Sequence, residues 1–174
     1  MLILEAERDT LLKPLQAVTG IVERKHTLPI LSNVLIERTG GQTNILATDL
    51  EIQIHTHGPH TDAEDFRITT NAKKLQDILR ALPEGAIVAL DWVQNRLTLK
   101  AGKSRFALQT LPAEDFPLMS IGEEVVSAFT LPQETFRNML SQVQYAMAVQ
   151  DIRYYLNGLL MQVEGSNLRL VATD

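Results

Sequence analysis

Three histidines are the first candidates for chemistry in this sequence: His55, His57 and His60, in Ile54-His55-Thr56-His57-Gly58-Pro59-His60. Alternate residues of a strand share a face, so His55 and His57 would project together. A turn at Gly58-Pro59 would then fold His60 back to complete a zinc-like trio, the site of a metal-dependent hydrolase. The opposing reading is a polar, exposed loop tip, favoured because no acidic or supporting partner is specified nearby. Asp49 and Glu51 form a second candidate pair that would share a strand face. Asp49, however, recurs as Asp174 in a repeated Ala-Thr-Asp, which fits a structural turn or cap better than paired catalytic carboxylates. The sequence holds no glycine-rich phosphate loop, nucleophile elbow or His-Glu helix motif. The absence of cysteine excludes disulfides and thiolate metal sites and fits a reducing compartment. Neither an enzyme nor a cofactor is expected.

The basic residues show more order. Arg24-Lys25-His26 lies at the end of a first predicted helix, Lys73-Lys74 opens a second with Arg80 later in it, and Arg153-Tyr154-Tyr155 follows a third. The formal net charge is -5, so any polyanion binding must come from local clusters of this kind. Cations in a last turn offset the helix dipole, which accounts for Arg24 and Lys25 as well as ligand binding does. The same argument fails for Lys73 and Lys74, because a helix start disfavours positive charge. Paired tyrosines beside an arginine could stack on bases, or belong to the core.

These residues need elements to hold them. A strand at 2–5 leads into a helix at 7–24, with Leu11, Leu15, Val18 and Val22 on one face. Strands follow at 34–38 and 44–48 across Gly40-Gly41, a hairpin signal, then at 51–56 and 65–70. Asn71 caps a helix at 72–81, whose Leu75, Ile78, Leu79 and Leu82 share a face. Three strands, 87–91, 96–100 and 105–109, complete an order that reads βαβββ twice. Residues 111–117, with two prolines around acidic residues, read as an extended connector. Beyond a boundary near Glu123, a strand at 128–131, a helix from Pro132 to about Ala148 and strands at 159–164 and 168–173 are expected.

A longer repeat runs through the chain. Shifted by 125 positions, residues 1–49 lie over 126–174 without a gap, and nine of the forty-nine pairs are identical. The same shift carries Leu11, Leu15, Val18 and Val22 onto Phe136, Leu140, Val143 and Met147. The expectation is an α+β protein of tandem domains, helices packed on antiparallel sheet, with residues 1–123 as the first domain and 124–174 as the incomplete beginning of a second. The chain thus reads as a fragment of a longer protein. Its start lacks the basic and apolar regions of a signal peptide, and no apolar run is long enough to cross a bilayer, so a cytoplasmic protein without membrane contact is expected.

Several ungapped segments carry a resemblance: Thr27-Leu28-Pro29-Ile30-Leu31-Ser32-Asn33, Ala47-Thr48-Asp49-Leu50-Glu51, Leu82-Pro83-Glu84-Gly85, Ser104-Arg105-Phe106, Thr110-Leu111-Pro112-Ala113-Glu114-Asp115-Phe116-Pro117 and Gln150-Asp151-Ile152-Arg153-Tyr154-Tyr155-Leu156-Asn157-Gly158. Together, and in this order, they resemble the β subunits of bacterial DNA polymerase III, the sliding clamps. The resemblance implies a head-to-tail homodimeric ring of three clamp domains per subunit, helices lining the hole and sheets outside. It implies a processivity factor for DNA replication that encircles double-stranded DNA without regard to sequence and without catalysis. The partners implied are a clamp loader, the replicative polymerase and repair proteins.

Carried over by position, the resemblance puts DNA contacts on Lys25, Lys73, Gln150, Tyr154 and Tyr155, to which the basic clusters add Arg24 and Arg153. It puts a dimer surface on Lys74, Ile78, Leu82, Phe106 and Leu108, and part of a partner-peptide pocket on Leu156 and Thr173. Lys25 and Lys73 stand where relatives can have arginine, which keeps the charge and loses the bidentate fork. A protein-interaction module unrelated to DNA is the other alternative to the hydrolase.

Overall fold

The computed structural model describes residues 1–22, 28–119 and 128–174, in two compact units, Met1–Ile121 and Gly122–Asp174. In the first unit β1 (Leu2–Glu7), α1 (Arg8–Val18), β2 (Asn33–Thr39), β3 (Gln42–Thr48) and β4 (Gln53–His60) are followed by β5 (Phe66–Asn71), α2 (Ala72–Ala81), β6 (Ile87–Val93), β7 (Arg96–Ala101) and β8 (Ser104–Gln109). The order is βαβββ twice, as the periodicity predicts. The halves exchange their first strands: the two antiparallel sheets run β1-β6-β7-β8 and β4-β3-β2-β5. Neither half can therefore complete its sheet without the other.

One core joins both helices and both sheets. Leu11, Leu15 and Val18 of α1, Leu75 and Leu79 of α2, Val34 and Ile36 of β2, and Leu97 and Leu99 of β7 are all buried in it. Asn71 caps α2 by accepting from the Lys74 backbone N–H at 2.9 Å, and α2 covers the predicted residues. At its other end, Arg8 Nε donates to the Leu79 carbonyl at 2.7 Å, a cation where the helix dipole is negative. The edges of the two sheets are stitched by buried threonines: Thr69 Oγ1 donates to the Leu111 carbonyl at 2.8 Å and Thr70 Oγ1 to that of Gln109 at 3.4 Å. Both side chains are fully buried, so each hydroxyl needs the partner it has found.

Four expectations require correction. The first helix ends at Val18 and passes into a 3-10 turn, Thr19–Ile21, because Thr19 and Gly20 are poor helix formers; Val22 is extended, and positions 23 and 24 of the predicted span lie outside the described residues. The strand expected at 51–56 begins only at Gln53. Asp49 Oδ1 accepts from the backbone N–H groups of Glu51 and Ile52 at 2.9 and 2.7 Å, and Leu50 takes a φ of 79°, which together make a turn. The connector carries a 3-10 turn, Ala113–Asp115, and is not simply extended: Phe116 is buried with Ala113 against Leu35 and Leu46 on the face of the sheet opposite the main core. Residues 128–131 form no strand. Their counterpart β1 exists by pairing with β6, and no strand among the described residues of the second unit offers such a partner.

The second unit holds α3 (Gln133–Val143), 3-10 turns at Gln144–Ala146 and Tyr154–Asn157, and an antiparallel pair, β9 (Leu160–Glu164) and β10 (Asn167–Val171). The helix becomes a 3-10 turn short of Ala148. Shifted by 125, α1 falls on α3, Thr19–Ile21 on Gln144–Ala146 and Pro29–Ser32 on Tyr154–Asn157, with the same end residues each time. The repeat read from nine identities is therefore a repeat of structure. None of the described residues of this unit is fully buried, and Leu160, Met161 and Val163 of β9 are exposed. A two-stranded sheet with one side only partly covered by a helix and no fully buried residue is marginal in water. In the 174-residue chain, hydrogen exchange at the β9 and β10 amides is expected to outpace that at β2 and β3 by about a hundredfold or more; equal protection would show that this unit is stable without further sheet.

Candidate nucleic-acid interface

The histidines do not assemble. β4 continues through Gly58-Pro59 with an irregularity in its pairing to β3, so the turn expected there is absent; proline is tolerated because β4 is an edge strand and the ladder is interrupted at that point. His55 and His57 do share a face, their rings 4.9 Å apart in an edge-on arrangement. His57 Nδ1 lies 3.0 Å from Asn44 Oδ1. His60 pairs across the sheet with Gln42 and lies against Gly41, where a Cβ would come within 2.9 Å of its Nε2. That approach, with the φ of 83° at Gly41, is why the hairpin ends in glycine. Among the described residues no three His, Cys, Asp or Glu side chains stand close enough to hold a metal ion.

The basic residues fare differently. Lys73 is half-buried in the first turn of α2 and lines a cleft of about 470 Å³ with Arg80, Asn71, Gln76, Asp77, Ser32 and Val22. Lys73 and Arg80 are seven residues apart, two turns along one helix face, so α2 presents two cations to the same space. Gln76 fixes the cleft floor by donating to Thr19 Oγ1 at 2.8 Å, both residues being buried. Val22 leads into 23–27, and Arg24 and Lys25 lie outside the described residues.

In the second unit, residues 150–157 form a loop built by its own side chains. Asp151 Oδ1 accepts from the Arg153 backbone N–H at 2.7 Å and from Arg153 Nε at 3.0 Å, while Oδ2 accepts from Arg153 Nη2 at 2.9 Å. Asn157 closes the loop, its Oδ1 accepting from the Asp151 N–H and its Nδ2 donating to the Asp151 carbonyl. Gln150 has a φ of 56°. Held on this frame, Tyr154 and Tyr155 are 82% and 66% exposed, edge to face at 5.9 Å. They do not enter a core here, whereas Ile30, the counterpart of Tyr155, packs partly buried against one. Two exposed aromatics beside an arginine offer flat faces and a cation, a surface suited to bases and phosphates.

The hydrogen bonds from Arg153 hold the Asp151 carboxyl below the usual carboxylate range, and Asp151 raises Arg153 in return. A carboxylate with a lowered folded-state value contributes order that is complete above its unfolded value, about 3.9, and lost as pH falls through the lower folded value. Acidification below pH 4 is therefore expected to speed exchange at Arg153 Nε–H in NMR spectra, and Asp151→Asn should do the same at pH 7. Unchanged exchange in the variant would show that Asp151 does not hold the loop.

Lys74 is exposed and Ile78 half-buried on α2, which packs against the edge strand β8, where Phe106 is half-buried. Leu82 and Leu108 are buried in the unit's own core and support this ridge from beneath. Leu156 is half-buried and Thr173 exposed. A further residue escaped the sequence reading. Arg38 is 2% exposed, and its Nη2 donates to the Ile3 carbonyl at 2.7 Å and its Nη1 to that of Glu64 at 3.0 Å. Its parity with Val34 and Ile36 along β2 was the available signal.

Comparison with known proteins bears on both units. Residues 2–120 match the family model for the DNA polymerase III beta subunit, N-terminal domain, and residues 130–174 that for its central domain. The beta sliding clamp of Pseudomonas aeruginosa is 46% identical over 169 residues, and that of Escherichia coli 45% over 172. In both cases 97% of this chain and 46% of the relative are covered, so the chain spans about half the length of the curated relatives it matches. A crystal structure of the Pseudomonas aeruginosa DNA polymerase sliding clamp with ligand matches with a TM-score of 0.91 at 43% identity, covering 100% of this chain and 47% of that one. A Caulobacter crescentus pol III beta structure gives 0.86 at 40%, covering 98% and 47%. The residue-for-residue repeat of helix and turn in this chain is thus the tandem clamp repeat, and the chain belongs to the DNA polymerase III beta subunit, or sliding clamp, family.

Proposed function

We propose that the full-length protein is a non-catalytic processivity factor, a homodimeric ring that encircles duplex DNA in the cytoplasm and tethers the replicative polymerase and repair proteins after a clamp loader has placed it. The observation that carries this reading is the repeat itself. The shift that carries α1 onto α3 also aligns Lys25 with Gln150 in sequence, each four residues ahead of equivalent 3-10 turns. Polar and basic side chains recurring at repeat-equivalent positions of the sequence suit a partner that is itself repetitive, and duplex DNA offers a regular array of phosphates. Residues 1–123 would form the first clamp domain and 124–174 the opening of the second.

In this reading Arg24, Lys25, Lys73, Gln150, Arg153, Tyr154 and Tyr155 face the DNA. Lys74, Ile78 and Phe106 form the dimer surface, backed by Leu82 and Leu108, and Leu156 and Thr173 belong to a pocket for partner peptides. The net charge of -5 is no obstacle, because a ring can be negative outside and positive within. Full-length protein carrying Lys74→Glu and Phe106→Glu is expected to sediment as a monomer and to lose its hold on circular DNA, with an unchanged circular dichroism spectrum. A folded variant that stays dimeric would remove this surface from the interface, and a monomer still retained on circular DNA would refute the ring.

A further inference from the structure

His55 and His57 project from one face of the edge strand β4, and both are exposed. Same-face neighbours on a strand are spaced about 6.5–7 Å along its axis. These two rings lean together, to a centroid separation of 4.9 Å with their planes at 69°. The separation is that of a chelate. Two imidazoles bound to one ion through nitrogens about 2.0–2.1 Å from it, at square or tetrahedral angles, hold their ring centres about 4.5–5.1 Å apart.

His57 is also fixed in the tautomer that binding needs. Asn44 pairs with it directly across the β3–β4 ladder, and Asn44 Oδ1, an acceptor only, lies 3.0 Å from His57 Nδ1. Nδ1 therefore carries the proton and donates it to Asn44, which leaves the free lone pair on Nε2. A hydrogen bond of this kind, made by the nitrogen that does not bind the ion, orients nearly every metal-binding histidine.

We propose that His55 and His57 form a two-histidine site for a divalent late first-row transition ion, Cu²⁺, Ni²⁺ or Zn²⁺. The donors select the class: imidazole suits these metals, whereas Mg²⁺ and Ca²⁺ are held by oxygen. Among the described residues no third His, Cys, Asp or Glu stands close enough to join the pair, and His60 rests instead against Gly41. A tetrahedral ion would thus keep two positions for water. With no carboxylate among the ligands to serve as general base, the pair holds an ion without hydrolysing anything. The site uses neither Lys73 nor residues 150–157, and it is independent of the DNA reading.

The test is a titration of the 174-residue chain with zinc chloride, followed by long-range proton–nitrogen NMR of the imidazole rings. One ion per chain is expected, saturating well below about 1 mM. The ring nitrogens of His55 and His57 should shift together, with His57 Nδ1 still protonated, while those of His26 and His60 stay in place. His55→Gln and His57→Gln should each weaken binding about tenfold or more, and Asn44→Ala about tenfold by freeing the His57 ring. Thermal melts of the two histidine variants should be unchanged, since both side chains are exposed. Cu²⁺ should displace the zinc, and excess Mg²⁺ should not. A dissociation constant above about 1 mM, binding undiminished in His57→Gln, or shifts confined to His26 or His60 would overturn the proposal. None of these outcomes touches retention on circular DNA, so the two readings fail separately.

Discussion

Arg38→Ala is expected to destabilise the first unit by about 3 kcal/mol, lowering the melting temperature of the chain by about 6–12 °C. The reason lies in where the guanidinium goes. Arg38 sits on β2, in one sheet, and reaches β1, in the other. The register of β1 against β6 slips between Leu2 and Leu4, so Ile3 falls at an irregularity in the ladder, and Arg38 Nη2 supplies a donor to its carbonyl. Phe66 lies beneath the cation at 4.9 Å. Burial pushes the guanidinium below its ordinary value while Asp65 opposes the shift; arginine nevertheless remains charged. Truncation leaves the Ile3 and Glu64 carbonyls without this donor and opens a cavity between the sheets. Arg38→Met refills the volume but not the hydrogen bonds, so a loss of about 1–2 kcal/mol is expected. Denaturant melts of both variants decide the matter, and a cost under about 0.5 kcal/mol for Arg38→Ala would show that the sheets do not depend on this tie.

In full-length protein, removal of charge at both Lys25 and Lys73 is expected to flatten the dependence of log affinity on log salt by about 1.8, since each lost phosphate contact contributes about 0.9. Near 0.1 M salt that slope corresponds to binding about 50-fold weaker, and the loss should be alike for any DNA sequence, because phosphate contacts carry no sequence information. Stability should change by no more than about 0.5 kcal/mol. Lys73 opens α2, whose N-terminus already repels cations and is capped by Asn71, so the helix gains nothing from its charge. An unfolded double variant, or an unchanged salt slope, would make these lysines ordinary surface residues and move the DNA path elsewhere.

Much of this arrangement is legible in the sequence, and the remainder fails for physical reasons. The bounds of α2 follow from Asn71, a period of 3.6 and Leu82-Pro83, all local signals. The double βαβββ order follows in the same way, whereas the exchange of β1 and β5 between sheets is a long-range pairing that no local pattern encodes. The histidine trio fails because Gly58-Pro59 reads as a turn, yet an edge strand accommodates it. Phe116 is hidden by its surroundings: two prolines and two acids mark a loop, and only the apolar outer face of β2 and β3 turns its one aromatic into an anchor. Arg38 illustrates the converse, a charge at an inward position of a strand. The Asp151–Asn157 loop is legible as polar sequence, but its closure by reciprocal hydrogen bonds needs coordinates.

The measurement that bears most directly on the account is the rate at which loaded full-length protein leaves a circular duplex before and after a single cut. A ring held by topology should stay on the closed circle through a wash in high salt, which screens phosphate contacts, and should leave once an end is made, whatever the sequence at the cut. Equal release from circular and linear DNA, or release from the intact circle on raising salt, would show that the protein binds by contact alone and would contradict the clamp reading.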